Sequence, residues 1–346
     1  IMVENGETIS MGQMVTIMGS GLVGALAYTF SDTFWFSAVE GEVYAYSSLF
    51  TACVFWLILK WEEVADQPHA DRWIVLIAYL MGLSIGVHLL NLLCIPAIVL
   101  VYYYKKFPNP TMKGTIGALL VSFAIVGLMM YGVVQGLVEI CGYFELFFVN
   151  TLGMPYNSGV FVFVIVLAAV LLWSIWETMR DEIHPIRLKI SFLLSIVLLG
   201  IPFIGSGYVV AVVLTALLAA YLFTRKGDLP LKLMNTVLVS LMVIVIGYSS
   251  YALTLIRATA DTPMNQNSPS DIFTLRTYLA REQYGKTPLI YGQTYVSEVK
   301  SENKACASRP ASRASRPGAV SSRRTRTRRI IIISPVMRRN ISTWTS

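Results

Sequence analysis

Long apolar runs separated by short polar stretches dominate this chain, and that pattern leaves few folds open. Several runs reach the roughly 20 residues that a helix needs to cross a bilayer. Inside the hydrocarbon layer every backbone N–H and C=O has to be paired, so such runs become helices. Composition agrees: 55% of the residues are hydrophobic, 14% are charged, and the mean hydropathy is +0.62. Soluble domains run near about a quarter charged, so a soluble globular fold is excluded. The expected class is all-α and polytopic, a transmembrane bundle of about nine apolar helices.

Taken in order, residues 11–30 form a first span, with Gly19, Gly21 and Gly24 allowing close helix approach. A second runs from the early forties to about Lys60, with Trp56 and Trp61 placed like interfacial anchors. Residues 73–104 are apolar for too long to be one span at about 1.5 Å per residue. Their middle reads MGLSIGVHLLNLL, where a break into two short helices is expected. Residues 115–137 are a clean span, and the aromatic-rich 138–157 read as a segment lying in the interface. Residues 160–176 cross again. Residues 190–223 are a second double-length run, split at IPFIGSG, where Pro202, Gly205 and Gly207 suit a tight turn. Residues 233–255 are the last span.

Lys and Arg gather in the short loops at 105–113, 180–189 and 225–232, which the positive-inside rule assigns to the cytoplasm. Counting spans outward then puts residues 31–50, 138–157, 205–207 and everything after Arg257 on the opposite side. The formal net charge of +7 says little about partners. Residues 301–346 hold eleven Lys/Arg and one acid, leaving −3 for residues 1–300, so the body gives no sign of nucleic-acid binding.

The stretch that stands out is SDTFWFSAVEGEVYAYSSLF, residues 31–50, which joins two spans yet carries Asp32, Glu40 and Glu42. Carboxylates at a membrane edge are costly to desolvate. Ser37 and Glu40 fit an S-x-x-E capping box at a helix start. Glu42 falls about 200° round a helix from Glu40, so capping does not cover it, and it reads as either a site residue or a solvated acid. His88 and Asn91, three apart near Gly82 and Gly86, suit interhelical hydrogen bonding as well as a site role. Arg257 at a membrane edge suits a snorkelling contact as well as a site. Cys53, Cys94, Cys141 and Cys306 show no C-x-x-C spacing, so neither a disulfide framework nor a zinc site is expected.

After Arg257 the character turns soluble. Ser268-Pro269-Ser270-Asp271 reads as a helix start, with the helix running to Gly285 and a short strand at 288–291. The expected domains are therefore 1–257, the helical membrane region; 258–300, the start of an outward-facing α/β region; and 301–346, a basic low-complexity tail read as non-native or disordered. Asn265 and Asn267 read as turn residues, and Arg281 and Glu282 as a solvated face. IMVENGETIS offers no basic n-region, so no signal peptide is expected and an upstream part is expected to be missing.

Three blocks together carry a resemblance: SDTFWFSAVEGEVYAYSSLF, GLSIGVHLLNLL and TPMNQNSPSDIFTLRTYLAREQYGKTPLIYGQTY. Over residues 11–300 the chain resembles a bacterial family of multi-pass membrane proteins, formerly of unknown function. That family is now grouped with GT-C glycosyltransferases related to protein O-mannosyltransferases. Its Trp-Asp-x-Gly-Glu-Phe loop, of the kind that supplies the main catalytic acid in GT-C enzymes, has no counterpart in these residues. The resemblance implies transfer of a sugar from a polyprenyl-phosphate donor to a protein or glycan acceptor, on the periplasmic face of the bacterial inner membrane. It implies Glu42 as the acidic site residue beside the donor and any divalent metal bound there, with Glu40 as the alternative. It implies His88 and Arg257 as contacts to the donor phosphate. The rival expectation is a transporter or flippase, in which broken helices are equally natural; acids at an outer edge favour the enzyme.

Overall fold

The computed structural model describes residues 9–203, 208–224, 230–260 and 262–285. The expected turn at 205–207, the strand at 288–291, the tail, Asp261 and Cys306 lie outside the described residues. Among those described the chain is helical, with no strand. Six helices are long and apolar enough to cross a membrane: Met11–Thr29, Val43–Val64, Leu89–Lys106, Met112–Thr151, Ser158–Met179 and Leu231–Ala258. The protein is therefore a multi-pass, all-α membrane protein.

The elements are α1 (Met11–Thr29), α2 (Asp32–Val39), α3 (Val43–Val64), α4 (Asp71–Ile85), α5 (Ile95–Lys106), α6 (Met112–Gly127) and α7 (Leu137–Leu146). They continue with α8 (Ser158–Met179), α9 (Pro185–Leu198), α10 (Tyr208–Thr224), α11 (Leu231–Tyr248), α12 (Ala252–Ala258) and α13 (Ile272–Leu279). Each of the nine expected apolar segments falls on a helix. Three of them, α4, α9 and α10, stay below spanning length, at 15, 14 and 17 residues.

Both expected breaks are present. Between α4 and α5 the chain opens at Gly86–His88 and re-enters through a 3-10 turn, Leu89–Cys94. Between α9 and α10 it turns at Gly200, whose φ is +80°. One boundary differs from expectation. The helix starting at Met112 does not end at Leu137 but continues to Thr151 through a π-helical stretch, Leu128–Gly136. Its 40 residues amount to about 60 Å, twice a hydrocarbon core, so at the tilts of up to about 40° that spanning helices show, part of it lies outside the apolar layer.

Packing centres on α4 against α11. A Cβ at Gly82 would collide with the Ile244 carbonyl, and one at Gly247 with the backbone of Gly82 and Leu83, so the two glycines let the helices touch backbone to backbone. Tyr248 reaches across from the same face, its hydroxyl donating to Val134 O at 2.9 Å within the π stretch. Trp61 is fully buried and stacks on Tyr102 at 5.1 Å. It is a core residue rather than the expected interfacial anchor, whereas Trp56 is 58% exposed. The glycines of α1 also depart from expectation, since nothing lies within 4 Å of any and α1 buries no residue.

The helix after the last span packs on the membrane bundle. Asp271, not Ser268, is its N-cap, in a reciprocal pair with Thr274. Ile272, Leu275 and Leu279 join the bundle's core, and the helix ends at Leu279 rather than running to Gly285. The bundle and this helix form one compact unit through Ala280; a second unit begins at Arg281.

Candidate functional site

Contacts sort the helix termini into two groups. At one end Lys106 donates to Ala65 O at 2.7 Å, Lys232 pairs with Asp71 at 3.5 Å, and Asn235 Nδ2 donates to Thr178 Oγ1 at 2.7 Å. This end carries Lys105, Lys106, Arg180, Arg187 and Lys232, the cations of the short basic loops. At the other end the ring of Tyr44 meets that of His88 at 5.3 Å, Gly86 abuts the Ser250 hydroxyl, and Tyr143 meets Tyr208 at 5.6 Å.

The acidic connector lies at this second end, and its local structure corrects one expectation. Residues 32–39 are a helix, α2, carrying exposed Trp35 and Phe36. Phe30 stacks on Trp35 at 5.7 Å and Tyr28 on Phe34 at 4.5 Å, the aromatic-rich surface expected at a lipid–water boundary. Ser37 therefore sits inside a helix, donating back to Thr33 O at 2.9 Å, and Glu40 is the C-cap of α2. The capping box predicted for Ser37 and Glu40 does not form. Gly41, at φ +70°, takes the left-handed turn that separates α2 from α3. Glu42 is then the N-cap of α3, with extended backbone and a side chain that makes no cap bond. Its carboxylate is exposed and uncommitted among the described residues.

His88 stands at the break in the α4–α5 pair. Its backbone N–H donates to Ser84 O at 2.7 Å, and its Nδ1 accepts from Leu90 N at 3.1 Å, capping the 3-10 turn. The Tyr44–His88 contact thus brings the first turn of α3, two residues after Glu42, to this break. Arg257 is exposed near the end of α12 and, among the described residues, is joined to neither Glu42 nor His88 by any contact. No three His, Cys, Asp or Glu side chains gather to hold a metal ion among the described residues.

Three further acids were not singled out in the sequence. Glu145 is fully buried and accepts from Asn157 N at 2.6 Å and Val160 N at 3.2 Å, so it caps α8 from a neighbouring helix. A carboxylate there also opposes the positive end of the helix dipole. Glu139 accepts from the Tyr143 hydroxyl at 2.6 Å and pairs with Arg276 at 3.7 Å, holding α13 onto α7. Glu177, at the basic end, is buried with Arg187 at 3.0 Å and Trp173 Nε1 at 2.9 Å. Only Glu177 carried a local signal, the i,i+3 spacing to Arg180. Asn265 and Asn267 are turn residues as expected, with Asn265 Nδ2 donating to Ala258 O at 3.0 Å and Asn267 at φ 62°.

Residues 1–111 match the family model described as the Protein O-mannosyl-transferase TMEM260 N-terminal domain. The match takes in Glu40, Glu42 and His88; Arg257 lies beyond it. No curated protein and no solved structure matches the chain.

Proposed function

We propose that this protein is a membrane glycosyltransferase of GT-C type, moving a sugar from a polyprenyl-phosphate donor to a protein or glycan acceptor. The observation that carries the reading is a coincidence of location. The part of the chain similar to an O-mannosyl-transferase domain is the part in which the free Glu42 and the His88 break come to one end of the bundle.

In this mechanism Glu42 accepts the proton of the acceptor hydroxyl as its oxygen bonds to the anomeric carbon. The bond from that carbon to the donor phosphate oxygen breaks, and the polyprenyl phosphate leaves with the electron pair. His88 and Arg257 donate hydrogen bonds to the departing phosphate, where negative charge grows. Glu40, across the Gly41 turn, is the alternative base. The end bearing these residues faces away from the cytoplasm, the periplasm in a bacterial inner membrane, because the opposite end holds the loop cations. Nucleotide sugars are scarce on that face, which is why the donor is lipid-borne.

Transfer assays on the protein in proteoliposomes, with polyprenyl-phosphate mannose and acceptor peptides or glycans, test the proposal. Glu42→Gln is expected to abolish transfer while leaving the melting temperature unchanged. Undiminished transfer by Glu42→Gln removes that residue from the mechanism. The interrupted α4–α5 pair also favours a second reading, a flippase for a lipid-linked substrate. Movement of labelled lipid across the bilayer without sugar transfer would select it.

A further inference from the structure

We infer that Asn91 is the positioning residue of the His88 site, holding the chain open between α4 and α5 so that His88 meets a lipid-borne phosphate as a neutral Nε2–H donor. The ligand class rests on the function proposed above; the positioning rests on the geometry alone.

Asn91 is fully buried in an apolar surrounding, where an unpaired amide is costly. Here both ends of the amide are engaged. Its Oδ1 accepts from Thr51 Oγ1 at 3.1 Å and from Cys94 Sγ at 3.2 Å, and its Nδ2 donates to Ser84 Oγ at 2.9 Å and to Met81 Sδ at 3.4 Å. Ser84 spends its own proton on Met81 O at 2.8 Å, leaving only a lone pair for Asn91. Thr51 Oγ1 also donates to Ser47 O at 3.1 Å, so it is the Ser84 lone pair that sets the orientation: a reversed amide would turn its own oxygen against it. The four partners belong to α3, α4 and the 3-10 turn, so one side chain fixes how the turn leaves α4.

His88 opens that same turn, three residues earlier. Because Leu90 N–H occupies Nδ1, the proton of the neutral ring sits on Nε2. Nε2 has no hydrogen-bond partner among the described residues. A ring in this tautomer donates through Nε2 and has no lone pair there to receive a proton. It suits a phosphate oxygen and not the acceptor hydroxyl's proton, which leaves the base role to a carboxylate.

The protein has three histidines, at 69, 88 and 184, so [15N]histidine labelling resolves each ring. In nanodiscs the wild-type His88 should show an acceptor-type Nδ1 and a protonated Nε2. Asn91→Ala should return the ring to the averaged tautomers of a free imidazole. Ser84→Ala, which removes one of the four Asn91 side-chain bonds, is the gentler variant should Asn91→Ala fail to fold. An unchanged His88 tautomer in a folded Asn91 or Ser84 variant overturns the positioning role.

Titration with a short-chain polyprenyl monophosphate, with inorganic phosphate run in parallel, reads the ligand. The lipid phosphate alone should perturb His88 Nε2. Loss of the His88 donor in His88→Ala should weaken its binding about ten-fold or more, the value of one hydrogen bond to a charged group. His88→Gln, which keeps an N–H, should recover most of that loss. Response to inorganic phosphate alone, or to neither, overturns the lipid-phosphate assignment, and with a fixed tautomer it leaves the positioning by Asn91 standing.

Discussion

The two ends of the helical bundle differ in how much of their charge is paired. At the basic end, Lys105 is tied to Asp66 at 3.4 Å, Lys232 to Asp71 at 3.5 Å, and Arg187 to the buried Glu177 at 3.0 Å, while Glu62, Lys113, Asp181 and Glu182 are exposed without an ion pair among the described residues. At the other end, Asp32, Glu40, Glu42 and Arg257 are exposed and have no ion-pair partner among the described residues. Glu139 and Glu145 share that end, but each is bonded within the fold. The contrast separates charges that build the structure from charges the structure leaves free.

That contrast can be broken first through activity. Glu42→Gln should lower sugar transfer at least about a hundred-fold, the range for removing a general base, while Asp66→Asn at the basic end leaves the rate unchanged. Equal losses from both would erase the distinction between working and structural ends. Stability should show the reverse order. Arg187→Ala leaves the buried Glu177 with Arg180 at 3.9 Å and Trp173, and should cost about 3 kcal/mol in detergent melting experiments. Adding Glu177→Gln should restore part of it. Gly82→Leu, which forces α4 off α11, should cost about 2 kcal/mol or more by the same measurement. Asp66→Asn should cost less than about 1 kcal/mol, because the carboxylate is 77% exposed and its ion pairs are screened.

How much of this could be read from the sequence depended on whether the signal was local. Apolar length and Gly/Pro breaks are local: the first double-length run splits within MGLSIGVHLLNLL, and the second leaves its helix at Gly200, just before IPFIGSG, whose last four residues lie outside the described residues. Burial within the membrane is not local. Lipid tails are as apolar as a helix neighbour, so hydropathy cannot tell the fully buried Trp61 from the exposed Trp56. Continuation of the 112–151 helix through Leu137 depends on a π stretch braced by Tyr248, more than a hundred residues away. Glu145 finds its partners in backbone N–H groups at Asn157 and Val160, which no side-chain pattern announces. At the proposed site, Glu42 and His88 stand out in the sequence as polar residues beside apolar runs. The helix before Glu42 was hidden because its aromatic residues satisfy an interface as well as a loop does.

The central claim is that the free-charge end faces away from the cytoplasm. Single cysteines at Val39 and at Phe107, in a chain with its own cysteines replaced, can be probed in intact cells with a membrane-impermeant maleimide. Labelling at 39 without permeabilisation, and at 107 only after it, is the predicted result. Labelling at 107 alone in intact cells would put Glu42 and His88 in the cytosol and contradict the account.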